Sequence, residues 1–288
     1  MPTQSLPFTI IETLFPYLVC AARYSTKIQS SIQTLPDKDY DNFFSQALTA
    51  ADISVQNLVE LAMIAHFPEI SFFGEEFEKS LNTPYIKQAI WETGEIVVTL
   101  DPIDGTRYFI DQHDNYQIIL SIMTVAEYLG SILISPRKDK YWFALRGEGA
   151  WYGRSLEISP VECQRFSADI PHQPVTLLTL RTRLANEAAL TNTTVFDLKE
   201  SYSSHTPTIM PNDLFTGVMN SIVYNQLNFI DSGVVCFTAK EAGYCVETAD
   251  SSPLPTPIQL INGTNIPIIV AASQEILQEL RKAQPVPR

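Results

Sequence analysis

The sequence predicts an α+β chain, in which a half built from helices and an antiparallel sheet precedes an α/β half. Two observations support this. The first half shows helical spacing followed by several strand-like runs, and the second alternates strand-like and helix-like segments. The chain has 288 residues, 45% of them hydrophobic and 18% charged. That length and balance fit one large globular domain or two closely packed smaller ones.

The first half contains one clear amphipathic pattern. Apolar residues recur at helical spacing at Val55, Leu58, Val59, Ala62 and Ala65. Phe67-Pro68 ends this run, because proline cannot continue a helix. Strands are predicted over residues 96–100, 117–125, 129–134 and 141–145, and a turn-rich segment over 146–153.

A polar stretch over residues 155–175 separates the halves and contains three prolines. We therefore expect residues 1–155 to form an N-terminal α+β half and 156–288 a C-terminal α/β half. Beyond the boundary, strands are predicted over 175–180 and 268–272, and helices over 213–221 and 232–242. Gly243 suits the C-terminal cap of the last helix.

Charge and termini exclude several classes of protein. The formal net charge of −13 argues against nucleic-acid binding, which needs a basic surface for phosphates. Glu12 and Pro16 interrupt the first apolar stretch, so we expect no signal peptide. No apolar run approaches the roughly 18 residues that span a bilayer, so we expect no membrane span. Four cysteines without a CxxC pair indicate reduced thiols. These observations predict a cytoplasmic protein that does not bind membranes.

The most informative stretch is D-P-I-D-G-T, residues 101–106. A strand is expected to end at Asp101, because Pro102 cannot donate to the ladder. Asp104 then follows on a tight turn, and the carbonyl of Ile103 can also point inward. Such an all-oxygen set suits Mg²⁺. The alternative is a plain Asp-Pro, Asp-Gly turn.

The next two residues suggest phosphate binding. If a helix begins here, the N–H groups of Gly105 and Thr106 have no intrahelical partner and can face a phosphate. The Thr106 hydroxyl can orient a water molecule. In the alternative interpretation, Thr106 is only a helix cap.

Three other segments carry acids at structurally distinctive positions. They are T-A-A-D at 49–52, G-E-E at 74–76, and an aspartate at 231 that opens a helix running to E-A-G at 241–243. Taken singly, they can be a capping box, a solvated acidic turn and an N-cap.

Together, these four segments resemble the inositol monophosphatase superfamily of Mg-dependent, lithium-sensitive-type phosphomonoesterases. The family pattern has a T-x-x-D helix start, a G-E-E turn, a D-P-[IL]-D-G-T strand end and a D-x-A…E-A-G-G helix, in this order. The resemblance implies a layered αβαβα sandwich of the sugar-phosphatase type, a homodimer, and hydrolysis of a small phosphorylated metabolite by a metal-activated water.

The resemblance also implies that residues 1–155 form the metal-binding half and residues 156–288 the substrate half, and it implies a role for each site residue. Two to three Mg²⁺ ions would be held by Glu75, Asp101, the Ile103 carbonyl, Asp104 and Asp231, with Asp101 bridging two ions. The catalytic set would be Thr106, Asp52 and Glu75, with Asp52 near a third, weaker ion. The substrate would contact Gly105, Thr106, Tyr224 and Asp231.

Three departures from the family pattern leave the substrate open. Tyr108 stands where an asparagine often follows the D-G-T-x step. Ile230 stands where a tryptophan usually precedes the helix aspartate. Tyr224 stands seven residues before Asp231, where inositol phosphatases place a carboxylate that binds ring hydroxyls. A nucleotide or sugar bisphosphate is an alternative substrate, with Arg181 and Arg183 as candidate anchors. A catalytically silent family member that binds metal or a metabolite is the other alternative.

Overall fold

The structure is a computed structural model, and it describes residues 2–31, 49–206 and 208–287. The chain divides into two compact units, Met1–Arg165 and Phe166–Arg288. We call them unit 1 and unit 2 and describe each by itself.

Within its described residues, unit 1 contains two long helices and one short helix, α3 (Thr106–Ile110). Helix α1 (Leu6–Ile28) buries ten of its residues, and a 3-10 turn follows it to Ser31. By length and composition alone, Leu6–Ser31 would also pass as a membrane span, although half of that apolar window is buried in the protein. The apolar part of this helix is therefore longer than the sequence analysis predicts, since no apolar run long enough to span a membrane is expected there. Helix α2 (Ala50–His66) confirms the predicted helix and ends just before Pro68.

Unit 1 contains a sheet of seven strands, arranged in chain order. The strands are β1 (Ser71–Gly74), β2 (Val97–Asp104), β3 (Gln117–Met123), β4 (Tyr128–Ser135), β5 (Lys140–Leu145), β6 (Gly149–Gly153) and β7 (Gln164–Phe166). Strands β2 to β6 pair antiparallel, as predicted, whereas β1 runs parallel to β2. The prediction of only a turn over 146–153 is wrong for β6, because Gly149 to Gly153 pair with β5.

The core of unit 1 lies where α1 and α2 contact the sheet. Phe8 lies 6.0 Å from Phe143 between ring centroids, and Phe15 lies 4.7 Å from Tyr141. All four side chains are buried, and burying one such side chain stabilises the fold by roughly 1.5–3 kcal/mol. This core supports the strands that carry the acidic residues.

Unit 2 contains a five-stranded mixed sheet in the order β10-β8-β11-β13-β12. The strands are β8 (Val175–Leu178), β10 (Thr194–Asp197), β11 (Ser221–Tyr224), β12 (Cys245–Thr248) and β13 (Ile268–Ala271). Strand β8 runs parallel to β10 and β11, and β13 runs antiparallel to β11 and β12. A separate pair joins β9 (Thr182–Leu184) to β14 (Pro285–Pro287).

The helices of unit 2 are short. They are α4 (Leu198–Ser201), α5 (Ser232–Glu241), α6 (Pro257–Ile261) and α7 (Gln274–Lys282). Helix α5 confirms its prediction, and Gly243 follows it with a φ of 89°. The helix predicted over 213–221 is wrong, because Pro211–Thr216 is a 3-10 helix and β11 follows it. Gly217, with a φ of 76°, ends the 3-10 helix in a left-handed conformation that no α-helix continues.

Candidate active site

Strand β2 brings two carboxylates to one face of the sheet of unit 1. Asp101 pairs with Ile119 and Asp104 with Gln117, so β2 advances three residues while β3 advances two. In a regular strand, residues two apart lie on the same face and residues three apart do not. Because the β3 partners of Asp101 and Asp104 are two residues apart, a β-bulge in β2 brings both aspartates to the same face. The bulge therefore corrects the sequence interpretation, because Pro102 interrupts the ladder without ending the strand.

The two carboxylates are close enough to share a cation. Asp101 and Asp104 each offer an oxygen, and these oxygens lie within 4.8 Å of each other. Asp101 is only 3% exposed, so the mutual repulsion of two negative charges is weakly screened by water. Carboxylate oxygens arranged in this way suit a hard divalent cation such as Mg²⁺. The residues present therefore fit a magnesium ion.

A glutamine that the sequence reasoning missed orients the second carboxylate. Gln117 Nε2 donates to Asp104 Oδ2 across 2.6 Å. Gln117 is fully buried, and its Oε1 has no hydrogen-bond partner among the described residues. Only the register of β3 against β2 puts Gln117 beside Asp104, and the sequence did not reveal that register.

The turn after β2 leads directly into a short helix. Gly105 has a φ of 85° and is the N-cap of α3 (Thr106–Ile110). A helix therefore begins here, and the alternative in which Thr106 is the cap is wrong. The Thr106 hydroxyl lies 3.1 Å from Asp52 Oδ1 and 2.9 Å from the carbonyl oxygen of Ile103. One hydroxyl proton thus has two acceptors, both of them candidate site groups.

Asp52 is both a helix cap and a member of this site. Its Oδ2 accepts hydrogen bonds from the N–H and the hydroxyl of Thr49, at 2.9 and 2.5 Å. Its Oδ1 accepts from Thr106. The capping box and the functional interpretation of residues 49–52 are therefore compatible, and Asp52 is 1% exposed.

Glu75 lies in the turn that follows β1. Its backbone N–H donates to the carbonyl of Leu100, 2.9 Å away and one residue before Asp101. Its side chain is half-buried, whereas Glu76 is 4% exposed. The turn is therefore attached to β2 next to the bulge.

In unit 2, Asp231 is the N-cap of α5, and its side chain accepts from the N–H of Ser232. Burial, with a smaller contribution from the charge of Asp231, raises the pKa of the Cys236 thiol in the same helix. Tyr224 ends β11, and both Tyr224 and Ile230 are buried. Like Tyr108, the other two residues that depart from the family pattern thus lie in the interior.

The two candidate anchoring arginines have different surroundings. Arg181 adopts a φ of 68°, and its Nη1 donates to Gln226 Oε1 across 2.8 Å. Arg183 donates from Nε to the carbonyl of Pro287 at 3.2 Å, within the β9–β14 pair. Both guanidinium groups therefore already have a hydrogen-bond acceptor within the protein.

Comparison with known proteins identifies the family. Residues 17–283 match the profile of the Inositol monophosphatase family. The chain belongs to this family, which is Mg-dependent and whose members are generally soluble. Membership confirms the resemblance inferred from the acidic segments.

Individual relatives are distant. A histidinol-phosphatase from Chlorobaculum parvum is 28% identical over 115 residues, and inositol monophosphatase 1 from Rattus norvegicus is 25% identical over 149. These matches span 40% of both the chain and the histidinol-phosphatase, and 51% of both the chain and the rat protein. The chain thus matches between two fifths and about half of the length of these relatives.

Solved structures agree over almost the whole chain. An IMPase from Thermotoga maritima superposes with a TM-score of 0.64 at 15% identity, covering 96% of this chain and 97% of that one. The extragenic suppressor protein SuhB from Bartonella henselae gives 0.66 at 14% identity, covering 96% and 98%. The predicted α+β sandwich fold is therefore confirmed.

Proposed function

We propose that this chain is a Mg²⁺-dependent phosphomonoesterase that hydrolyses a small phosphorylated metabolite. The observation that carries the proposal is the bulge of β2, which puts Asp101 and Asp104 on one face beside the Thr106–Asp52 hydrogen bond. Relatives support the reaction class, since they include a histidinol-phosphatase and a 3'(2'),5'-bisphosphate nucleotidase CysQ from Aggregatibacter actinomycetemcomitans.

Five oxygen donors would hold two to three Mg²⁺ ions. They are the side chains of Glu75, Asp101, Asp104 and Asp231 and the carbonyl of Ile103. A related IMPase/NADP phosphatase has been solved with Mg²⁺ and phosphate. Bound Mg²⁺ would neutralise the phosphate and supply Lewis acidity.

The protein's own groups position the attacking water. When Thr106 donates its proton to Asp52, its oxygen lone pairs accept a hydrogen bond from water, which fixes the water's orientation. A proton released by that water can pass through the Thr106 hydroxyl to Asp52 Oδ1. The N–H groups of Gly105 and Thr106, which open α3, would bind the phosphate oxygens.

The substrate side of the site argues against a polyol. Tyr224 stands where inositol phosphatases have a carboxylate, and a ring hydroxyl buried without that acceptor costs binding free energy. Tyr224 and Asp231 would contact the substrate. The bisphosphate nucleotidase among the relatives supports a second candidate function, the hydrolysis of a nucleotide or sugar bisphosphate whose second anionic group Arg181 or Arg183 would bind.

The same substitution at Tyr224 keeps a silent family member as the competing hypothesis. A silent member would bind Mg²⁺ or a metabolite without releasing phosphate. We also propose a cytoplasmic homodimer without nucleic-acid or membrane partners, as the family resemblance and the acidic charge suggest.

A phosphate-release assay tests the proposal. The panel contains inositol 1-phosphate, histidinol phosphate, fructose 1,6-bisphosphate and 3'-phosphoadenosine 5'-phosphate, each with and without Mg²⁺. We expect Mg²⁺-dependent release that disappears in Asp101→Asn and persists in the control Asp114→Asn, whose carboxylate is exposed and paired with Arg137. Release without Mg²⁺, or release unchanged in Asp101→Asn, would refute the mechanism. Mg²⁺ binding without any release would favour the silent member.

A further inference from the structure

A buried polar network lies behind the G-E-E turn of unit 1. It consists of Gln56 and Glu60 on α2 together with Ser80 and Asn82 in the segment after the turn, and we call it the Gln56–Glu60 network. Gln56 is fully buried and Glu60 is 1% exposed. Being four residues apart, they lie on the same face of the helix. Neither belongs to the candidate metal ligands.

Gln56 holds the turn directly. Its Oε1 accepts from the backbone N–H of Glu76 at 2.8 Å, while its Nε2 donates to Glu60 Oε1 at 2.9 Å. These two contacts fix the orientation of the amide. A Cβ atom on Gly74 would lie 2.3 Å from that same Oε1, so the amide occupies space that only glycine leaves. Gln56 therefore contacts the residues on both sides of Glu75.

Glu60 anchors the other end of the network. Its Oε2 accepts from the Ser80 hydroxyl and from Asn82 Nδ2, the latter at 3.1 Å. Together with Gln56, the carboxyl group receives three hydrogen bonds in the interior. Removing a carboxylate from water costs free energy, so a buried carboxylate is tolerated only when it is well hydrogen-bonded. An apolar residue would pack the helix at a lower cost. The network thus ties α2 to residues 76–82, which follow Glu75.

The turn is attached to the metal side as well. The N–H of Glu75 donates to Leu100, the residue before Asp101. Glu75 is therefore held between a buried network on one side and the middle of β2 on the other.

We propose that Gln56 and Glu60 are positioning residues for Mg²⁺, which act by fixing the Glu75 backbone relative to Asp101. This inference rests on the proposed metal site. Groups that orient metal ligands without touching the ion typically change metal affinity 10–100-fold when removed. The side-chain oxygen of Glu75 is useful as a ligand only if its backbone position is fixed.

Mg²⁺ titration calorimetry on the full chain tests the proposal without relying on activity. In Glu60→Gln, an amide N–H₂ replaces one of the two acceptor oxygens, so at least one contact to Gln56, Ser80 or Asn82 is lost. We expect Mg²⁺ to bind about 10-fold more weakly. Saturating Mg²⁺ should restore kcat, because no group at the reacting atoms has changed. Gln56→Met should weaken binding similarly.

The matched control is Tyr116→Phe. The Tyr116 hydroxyl makes buried hydrogen bonds to Ser25 and Thr26 in the same unit, and the phenylalanine leaves the ring in place. We expect it to lower stability and leave Mg²⁺ affinity unchanged. If Tyr116→Phe weakened Mg²⁺ binding as much as Glu60→Gln, the effect would be general destabilisation and the proposal would be wrong.

The outcomes separate this inference from the proposed function. If the wild-type protein bound no Mg²⁺, both would fail. If it bound Mg²⁺, Asp101→Asn abolished binding, and Glu60→Gln and Gln56→Met bound like wild type, only the positioning role would be overturned. If Glu60→Gln did not fold, Gln56→Met and Ser80→Ala would decide the question in the same titration.

Discussion

Thr106 and Asp52 are 54 residues apart in the chain, yet the Thr106 hydroxyl lies 3.1 Å from Asp52 Oδ1. The same hydroxyl lies 2.9 Å from the Ile103 carbonyl. Its single proton can be directed to either acceptor. A cation drawing on the Ile103 carbonyl would bias the proton towards Asp52, which is the orientation that the proposed proton path requires.

This relationship predicts the behaviour of Thr106 variants. Thr106→Ala removes the hydroxyl, so kcat for phosphate release should fall by about 100-fold or more, while Mg²⁺ affinity stays within a few-fold of wild type. Thr106→Ser keeps the hydroxyl and should retain most of the activity. Steady-state kinetics and calorimetry measure the two effects. Equal losses in the serine and alanine variants would show that the methyl group matters, and not the hydroxyl.

Gln117→Leu should separate metal affinity from stability. The leucine removes the donor to Asp104 Oδ2, so Mg²⁺ should bind about 10-fold more weakly. It also removes a buried Oε1 that has no partner among the described residues, so the unfolding free energy in EDTA should not fall by more than about 1 kcal/mol. Calorimetry and urea unfolding check this. If Gln117→Leu bound Mg²⁺ as tightly as wild type, Gln117 would not orient Asp104 for metal binding.

Gly217 and Gly263 form a matched pair for a close backbone contact. Both have a positive φ, but a Cβ on Gly217 would lie 2.2 Å from the Pro171 carbonyl, whereas one on Gly263 meets nothing within 4 Å. Gly263→Ala should cost only the left-handed strain, about 1–2 kcal/mol. Gly217→Ala should cost a further 1–3 kcal/mol, roughly the cost of overpacking. If urea unfolding showed the same loss of unfolding free energy in both variants, the segment around Pro171 would move away from the new Cβ without cost.

His172 should make stability depend on pH. Its Nε2 lies 3.0 Å from the Tyr244 hydroxyl, and burial lowers its pKa below the ordinary 6.5, against smaller opposing effects from backbone hydrogen bonds to Ile170 and Leu214. The unfolded chain then takes up a proton before the folded one does. The stability from neutral His172 is therefore present above pH 6.5 and decreases as the pH falls below it.

His172→Gln tests this dependence, because glutamine keeps a polar group but does not titrate. Urea unfolding at several pH values between 7.5 and 5.5 should show a smaller loss of stability on acidification in the variant. Parallel curves for the two proteins would assign the pH dependence to other groups.

Much of this architecture follows from local sequence patterns. The periodicity around Val55 and Val59 correctly predicted α2, because helical spacing and a terminating proline are local signals. The four acidic segments predicted the family, since each combines a turn or cap signal with a carboxylate. The roles of Glu75 and Asp231 as metal ligands remain predictions.

What escaped prediction depends on pairing between distant segments. Gln56 and Gln117 look like ordinary polar residues in the sequence. The turn after β1 brings Glu76 to Gln56, and the register of β3 brings Asp104 to Gln117. Three glycines in a short stretch usually indicate a turn, so the sequence predicts a turn where the strand that begins at Gly149 lies. Its pairing with β5 is a tertiary effect that outweighs this local preference.

The extra residue in β2 makes the acidic site depend on backbone register as much as on side-chain chemistry. If β2 and β3 paired regularly past Asp101, the same sequence would place Asp104 on the opposite face of the sheet. An intact D-P-I-D-G-T motif is therefore insufficient evidence of a metal site in a diverged or engineered relative. A more discriminating criterion is the spacing of the residues that pair with the two aspartates, which must be two residues apart on the neighbouring strand.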